Sequence, residues 1–325
     1  MTYFDPLWVP LLTHYTSSNI PRLDEYRTSL QLMKIKNEVN QFLIAGTTGD
    51  GWELSDELLM DWIKFTQLGK VFQPNQKILF GAFGQTTAEV VRKARLIEEA
   101  IAKRPIRSEF AGLTICAPVK AAADQQEIID HFIEIIESTS APLAIYQLPQ
   151  IVKCTISAET FKFLAQSTSR ITLFKDTSGF DEIAKENIGL KNVKLLRGAE
   201  GSYVENLKDG GNYDGWLLST ANCFASNLRS IANETQSSNF SQAVAQSKEL
   251  ELLVNSLFNK AEEMSDGNIF SNINRAVDHI FAHGSEWRNY PARLFNGHTL
   301  SEEFLVNVDN LLVKAGFETQ AGYIN

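Results

Sequence analysis

The sequence predicts a (β/α)8 barrel with a C-terminal helical extension, and three observations favour this fold class. Short apolar runs alternate with longer amphipathic stretches over most of the 325 residues, which is the pattern of βα units around a parallel sheet. Eight such runs follow one another at a spacing of roughly 30 residues, the length of one βα unit. After about residue 236 the apolar runs stop and only helical patterns remain.

The predicted strands are the apolar runs 7–13, 41–46, 77–83, 111–118, 142–148, 171–176, 193–198 and 214–220. Helical patterns such as 86–103 and 124–139 lie between them, and in the second Ile128 and Phe132 fall on one face at helical spacing. An open doubly wound sheet is the alternative, but its usual glycine-rich dinucleotide fingerprint is missing. We therefore expect a barrel over residues 1–235.

Residues 236–325 are predicted to form the helical extension. The long helical pattern 241–264 is followed by at least two further helical patterns. We expect this extension to pack on the barrel rather than to form a separate domain, because it follows the barrel closely in the sequence.

Composition and charge exclude several classes of protein. The net charge of −9 and the absence of basic runs interleaved with aromatic residues argue against a nucleic-acid or membrane-surface partner. No apolar run approaches the roughly 20 residues that span a bilayer, and the N-terminal segment lacks the basic start of a signal peptide. Three widely spaced cysteines indicate a reducing compartment. We therefore expect a cytoplasmic protein.

No metal site is expected from the histidines. His279 and His283 are four residues apart and could share a helix face, but no H-E-x-x-H pattern accompanies them. The remaining histidines show no metal-ligand spacing.

Polar residues close several predicted strands, and in a barrel the C-terminal strand ends meet at one mouth. GTTGDG closes the second strand at 46–51, YQLP closes the fifth at 146–149, and KDTSG closes the sixth at 175–179. RGAEG and STAN close the seventh and eighth strands. A lysine, a tyrosine and a glycine–threonine turn are thus expected to converge.

Lys175 suits nucleophilic catalysis at this position. A lysine amine attacks a ketone to form an imine, which then withdraws electrons from a neighbouring bond. A free lysine titrates near pH 10.4, so only about one in two thousand is neutral at pH 7. Burial at the end of an apolar strand, beside Phe174, can supply the roughly 4–5 kcal/mol that would bring this pKa to about 7.

The other two elements fit a 2-keto acid as the substrate. The hydroxyl of Tyr146 can carry a proton to and from the forming adduct, and the turn of Gly46, Thr47 and Thr48 offers N–H groups and hydroxyls to a carboxylate. The Thr47 hydroxyl is an alternative partner for Tyr146. Each element alone has an ordinary structural interpretation, as a turn lysine, a packed tyrosine or a βα turn. Their common position at strand ends favours the catalytic interpretation.

These motifs resemble those of the dihydrodipicolinate synthase / N-acetylneuraminate lyase family of class I, pyruvate-type aldolases. GTTGDGWELS resembles the family's GTTGE turn, YQLP its Y-N-x-P, LFKDTSG its K-[DE]-x-[ST]-G, and DGWLLSTAN its glycine-led strand-eight segment. The similarity runs from about residue 7 to residue 227, with the motifs in the family's order and spacing.

The resemblance implies a (β/α)8 barrel with a C-terminal helical bundle that assembles as a homotetramer, a dimer of dimers. It implies no metal and no organic cofactor, and as substrates a 2-keto acid and an aldehyde. Lys175 would be the Schiff-base lysine and Tyr146 the proton-shuttling phenol. The resemblance further implies that Thr47 and Thr48, in the turn that begins at Gly46, bind the substrate carboxylate, and that the Thr47 hydroxyl contacts Tyr146. Gly198 and the Leu217 carbonyl would line the pocket.

Departures from the family pattern concern the acceptor half of the site. The family's P-x-Y tyrosine is missing, because the segment reads APVKAAAD with Val119 and Lys120. Dihydrodipicolinate synthases place an arginine where this chain has Ile151, and the asparagine of Y-N-x-P is Gln147. Lys120 and Lys153 are the nearby cations, but a lysine lacks the bidentate fork of arginine.

The sequence leaves the reaction open among several possibilities. Retro-aldol cleavage or condensation of a 2-keto-3-deoxy sugar acid is the leading prediction, and dehydration of such an acid through the same imine is the next. A dihydrodipicolinate synthase-like condensation is a further alternative, which Ile151 disfavours. A barrel that binds a keto acid without catalysis is the alternative from another class, and the retention of both Lys175 and Tyr146 argues against it.

Overall fold

The structure, a computed structural model, describes residues 4–324 apart from 19, 69, 187–188, 191, 209–210, 263 and 265. In the described residues eight parallel strands close into a barrel in sequence order, with helices between successive strands, which confirms the predicted fold class. The strands are β1 (Leu7–Pro10), β2 (Gln41–Ile44), β3 (Lys77–Gly81), β4 (Glu109–Cys116), β5 (Leu143–Gln147), β6 (Ile171–Asp176), β7 (Lys194–Arg197) and β8 (Gly215–Leu217).

The helices surround the barrel and continue beyond its last strand. They are α1 (Glu25–Ile35), α2 (Asp56–Leu68), α3 (Thr87–Lys103), α4 (Gln125–Ser138), α5 (Pro149–Val152), α6 (Ala158–Ser167), α7 (Glu182–Lys185), α8 (Tyr203–Asn206), α9 (Ala221–Gln236), α10 (Phe240–Ala261), α11 (Ile269–His283) and α12 (Glu302–Lys314). Short 3-10 segments cover Thr47–Gly49 and Gly284–Asn289. Thr86 with Glu89, and Asp124 with Glu127, form capping boxes that fix where α3 and α4 begin. Among the described residues, we find no helix with the length and apolarity to span a membrane.

The interior of the barrel is filled by a compact apolar layer. This layer contains Trp8, Leu43, Leu79, Ala144, Leu173, Leu196 and Leu217, each at most 5% exposed. A second, larger apolar cluster joins buried side chains of the strands to those of the surrounding helices. Bulky aliphatic side chains inside and outside the strands explain why the strand sequences read as continuous apolar runs rather than as alternating ones.

Strand periodicity directs the reactive side chains into the same interior space. Side chains two residues apart on a strand point to the same face. Leu173 belongs to the interior layer, so Lys175 on β6 points inward above it, and Ala144 places Tyr146 on β5 in the same way. The barrel thus presents both groups at its mouth, defined here as the end where the strands finish.

The helical extension packs against the barrel through α11. This helix buries not only apolar residues but also polar ones, among them Asn272, Asn274, Arg275, Asp278 and His279. Two of these, Arg275 and Asp278, bond to groups of the barrel half of the chain. The proposed division into residues 1–235 and 236–325 stays a prediction, although the last barrel helix, α9, ends at Gln236.

Candidate active site

Lys175 and Tyr146 lie side by side on neighbouring strands. They are paired in the register of β5 and β6, and the Lys175 Nζ lies 4.0 Å from the centre of the Tyr146 ring. Lys175 is only 4% exposed and Tyr146 only 2%. The two groups that the sequence predicts to act together are therefore in contact inside the barrel.

Burial changes the protonation of the Lys175 amine. The removal of water lowers its pKa from 10.5 to about 7, because the charged ammonium is poorly solvated there. The Glu200 carboxylate and the Cys116 thiol oppose this change electrostatically. With a pKa of about 7, roughly half of the amines are neutral at neutral pH, compared with about one in two thousand for a free lysine.

Tyr146 is held by two threonine hydroxyls, one from the segment after β6 and one from the turn after β2. Thr177 donates a hydrogen bond of 3.2 Å to the Tyr146 phenol oxygen, and the Thr47 hydroxyl also bonds to it. Burial raises the pKa of the phenol well above its usual range, while these hydrogen bonds lower it. The predicted contact between Thr47 and Tyr146 is therefore present, and the phenol is protonated at neutral pH.

The GTTG turn directly follows β2 and forms a compact 3-10 segment. The Gly46 carbonyl accepts hydrogen bonds from Gly49 N–H at 3.0 Å and Gly51 N–H at 2.9 Å. The N–H groups of Thr47 and Thr48 begin the turn, so they have no acceptor within it. Gly46, Thr47 and Thr48 are all buried, which makes the turn a small polar surface suited to one carboxylate.

Side chains from outside the GTTG turn hold it in place. Asp50 has a left-handed backbone with φ of 58°, and its carboxylate accepts hydrogen bonds from the Tyr15 hydroxyl at 2.8 Å and from Arg275 at 2.7 Å. Asn268, the N-cap of α11, donates to the Thr47 carbonyl at 3.1 Å. The extension therefore contacts the main chain of the predicted carboxylate-binding turn.

Gly198, which the resemblance implies to line the pocket, adjoins Lys175. A Cβ atom at this position would lie 2.4 Å from the Thr177 hydroxyl oxygen and 2.6 Å from the Lys175 Cε. Both distances are far below van der Waals contact, so only glycine fits beside the lysine. Leu217, in contrast, places its side chain in the apolar interior layer, and a binding role for its carbonyl stays a prediction.

Glu200 is a buried acid beside the site that the sequence motifs do not predict. It follows Gly198 in the RGAEG segment and accepts hydrogen bonds from Ser219, Thr220 and Tyr203. Burial raises its pKa, and these bonds oppose the rise. The signal in the sequence was the acid at the end of strand seven, but no spacing rule connected it to Lys175.

The two lysines near the departures from the family pattern are engaged elsewhere. Lys120 is exposed and forms an ion pair with Glu127, and Lys153 donates to the Gln150 carbonyl at 2.6 Å. Gln147 bonds through both ends of its amide to the main chain of Ile156. These bonds engage Lys120, Lys153 and Gln147 with other protein groups, and none of them directs a side chain toward a second substrate carboxylate.

Comparison with known proteins identifies the family. The model of the "Dihydrodipicolinate synthetase family" matches residues 9–277 of this chain. The 4-hydroxy-tetrahydrodipicolinate synthase of Buchnera aphidicola (Cinara cedri) is 27% identical over 228 residues, covering 69% of this chain and 72% of that protein. The corresponding enzyme of Staphylococcus saprophyticus is 22% identical over 238 residues, covering 72% of this chain and 75% of that protein.

Solved structures share the fold at low sequence identity. KD(P)GA from T. tenax superposes with a TM-score of 0.72 at 17% identity, covering 96% of this chain and 99% of that chain. A prophage protein of the dihydrodipicolinic acid synthase family from E. coli, in complex with pyruvate, has a TM-score of 0.73 at 16% identity, with coverages of 96% and 99%. The chain belongs to the dihydrodipicolinate synthetase family, a family of lyases and aldolases.

Proposed function

We propose that this protein is a class I lyase that forms an imine between Lys175 and a pyruvate-type 2-keto acid. The observation that carries the proposal is the buried amine with a pKa of about 7, lying 4.0 Å from the Tyr146 ring. A neutral amine is the nucleophile that imine formation requires. A binding protein without catalysis would need neither this amine nor the phenol beside it.

The substrate carboxylate is proposed to bind at the GTTG turn. The N–H groups of Thr47 and Thr48 have no acceptor within the turn and, together with the threonine hydroxyls, they suit an anion, while Gly46 supplies the main-chain geometry. Thr47 also bonds to Tyr146, so a carboxylate at the turn would bring the adjacent ketone carbon toward the phenol and the amine. The absence of a side chain at Gly198 leaves room for the adduct.

Proton transfer in the proposed reaction runs through Tyr146. The Lys175 amine adds to the ketone carbon C2, and the phenol gives its proton to the departing hydroxyl, which leaves as water. The phenolate then takes the proton of the C4 hydroxyl while the C3–C4 bond breaks, its electrons pass to the iminium nitrogen, and the aldehyde departs. Tyr146 returns this proton to the enamine at C3. Water then adds to C2 and becomes the carbonyl oxygen of pyruvate, a proton returns to the phenolate, and the amine is restored.

Condensation follows the same steps in reverse, and dehydration of a keto-deoxy sugar acid would begin from the same imine. Cleavage of a 2-keto-3-deoxy sugar acid is the reaction that the sequence analysis favours. A dihydrodipicolinate synthase-like condensation is disfavoured, because Ile151 cannot pair with a second carboxylate and the nearby Lys120 bonds to Glu127.

The test is reductive trapping of the imine. We expect incubation with pyruvate and borohydride to add a single pyruvate-derived group, located on Lys175 by mass spectrometry. Lys175→Ala should lose the adduct, and Lys162→Ala, an exposed lysine on α6, should keep it. A wild-type protein that forms no adduct with pyruvate or with longer 2-keto acids would contradict the proposal and favour the non-catalytic alternative.

The resemblance also leads us to propose a homotetramer built as a dimer of dimers. Light scattering of the purified protein should give about four times the mass of one chain. A mass of one chain at micromolar concentration would contradict this proposal.

A further inference from the structure

A cavity of about 280 Å³ lies between α1 and α11, where the extension meets the barrel. We call it the α1–α11 cavity. A cavity of about half this volume is enough to hold benzene, and neither Lys175 nor Tyr146 is among the residues that line this one. Its walls are rich in basic side chains, which are His14, Arg27, Arg275, His279, His283 and Arg293.

Two arginines at the cavity keep donors without a protein partner. Arg275 is only 4% exposed, and its terminal nitrogens donate to the Thr13 carbonyl and to the Asp50 carboxylate, both at 2.7 Å. Its Nε–H, in contrast, has no acceptor among the described residues. The guanidinium of the half-buried Arg293 forms no hydrogen bond or ion pair with any described residue. Buried donors are nearly always bonded, so an open one indicates a missing partner.

The two acids of the cavity walls are already engaged. Asp278 pairs with Arg27, and Asp24 caps α1 by accepting from the Arg27 main-chain N–H at 2.9 Å. Neither acid bonds to Arg275 or Arg293, so the open donors lack a counter-charge within the cavity.

The histidines at the cavity are uncharged at neutral pH. Burial and the positive charge of Arg27 lower the pKa of His14 to about 3. Burial, His279 and Arg27 likewise lower the pKa of His283 to about 4, while Asp278 opposes both shifts. A ligand with a negative charge is favoured where positive charge already suppresses the protonation of these rings.

We propose that the α1–α11 cavity binds a small oxyanion, a phosphate or a carboxylate group, held by the Arg293 guanidinium and by the Arg275 Nε–H. Both groups offer the oxygen acceptors that a guanidinium binds through charge-assisted hydrogen bonds. The binding involves no covalent step and does not depend on the proposed imine.

Arg275 connects this cavity to the predicted carboxylate-binding turn. The guanidinium whose Nε–H would contact the anion also holds the Asp50 carboxylate of that turn. An anion at Nε–H would weaken the attraction of Arg275 for Asp50, so we expect the affinity for pyruvate to fall when the cavity is occupied. This link, unlike the binding itself, rests on the proposed function.

The binding is tested by calorimetric titration of the wild-type protein with inorganic phosphate and, separately, with succinate. Sodium chloride keeps the ionic strength constant, so that a general salt effect is excluded. We expect saturable binding of at least one probe and a rise in melting temperature with that probe. The tighter probe shows whether the site prefers phosphate or carboxylate. No heat and no rise in melting temperature with either probe at millimolar concentrations would overturn the inference.

Variants of Arg293 locate the anion. Arg293→Gln should weaken the binding by about tenfold or more, because charge-assisted hydrogen bonds are lost. Arg293→Lys keeps the charge but lacks the planar fork, so its affinity should lie between the two. Arg288→Gln, a matched change at an exposed arginine that pairs with Glu302, should alter the affinity by less than about twofold. Equal affinities of folded Arg293→Gln and the wild type would place the anion elsewhere and overturn the inference.

The link to the turn is measured by the pyruvate concentration that gives half-maximal borohydride trapping on Lys175. A saturating concentration of the tighter probe should raise this value by about fivefold in the wild type, the lower end of typical couplings between sites. It should leave the value unchanged in Arg293→Gln. No rise in the wild type, or an equal rise in both proteins, would overturn the link. A protein that binds the anion but forms no trapped adduct would contradict the proposed function alone, so the two failures are distinguished.

Discussion

At the scale of a single residue, the burial of the Lys175 amine is unfavourable for folding but favours its chemical function. Its amine has lost water, and Glu200, the carboxylate that favours its charged form electrostatically, is itself bonded to Ser219, Thr220 and Tyr203. Burial of a charge without a partner favours its neutral form. The same desolvation that would destabilise an ordinary interior lysine therefore supplies the nucleophile.

The pH dependence of imine formation should report this environment. The neutral amine accumulates as pH rises through its pKa, so the rate of pyruvate trapping should rise with a midpoint near pH 7 and level off roughly one to two pH units above it. Glu200→Gln should move the midpoint to lower pH, because the Glu200 carboxylate raises the pKa of Lys175. A midpoint near the value of a free lysine, about 10.4, would contradict the desolvated amine.

Gly198 is predicted to be required by the space beside the lysine. In Gly198→Ala the new methyl group would meet the Thr177 hydroxyl and the Lys175 Cε at distances of 2.4 and 2.6 Å. We expect a fall in the trapping rate of about tenfold or more, since small displacements of reacting groups cost much of their alignment. Gly179→Ala is the control, because a Cβ there meets nothing within 4 Å although its φ of 76° brings some strain. Equal trapping rates for Gly198→Ala and the wild type would contradict this requirement.

At the scale of elements, the carboxylate-binding turn depends on a helix far away in the sequence. Asn268 caps α11 by accepting from Ser271 N–H at 2.8 Å, and its amide donates to the Thr47 carbonyl at 3.1 Å. One residue therefore both begins the helix and holds the turn.

Asn268→Ser separates these two contributions. Serine is a good N-cap but cannot reach as the amide does, so we expect a stable helix with a loosened turn. The KM for pyruvate should rise by about threefold to tenfold, the value of one hydrogen bond, with little change in thermal stability. An unchanged KM together with a lower melting temperature would show that Asn268 acts only as a cap.

The sequence predicts elements better than it predicts such contacts. All eight strands were found, because apolar runs bounded by turn residues depend on local chemistry, as in LFKDTSG. The predicted ends ran too far at β1 and β8, where apolar residues continue beyond the paired segments Leu7–Pro10 and Gly215–Leu217. The bonds of Asn268 and Arg275 to the GTTG turn cross more than two hundred residues, and no local pattern specifies such pairs.

At the scale of the whole molecule, a buried cluster joins the barrel to the extension. Asp278 on α11 is fully buried and forms an ion pair with Arg27 on α1. It also accepts from the Tyr323 hydroxyl at 2.7 Å and lies 3.7 Å from His14, beyond β1. The pKa of this carboxyl is lowered, against the effect of burial, chiefly by Arg27. Segments from both ends of the chain thus depend on one carboxylate.

We therefore expect the barrel and the extension to unfold as one unit. Asp278→Asn leaves the largely buried side chain of Arg27, 13% exposed, without its counter-charge, which should lower the free energy of unfolding by about 3–5 kcal/mol. Urea unfolding followed by tryptophan fluorescence and by circular dichroism should then give a single shifted transition with coincident midpoints. Glu302→Gln, which removes the exposed ion pair with Arg288, should cost at most about 1 kcal/mol. Two separate transitions, of which Asp278→Asn moves only one, would show that residues 236–325 form an independent domain, because a shared core cannot lose stability on one side alone.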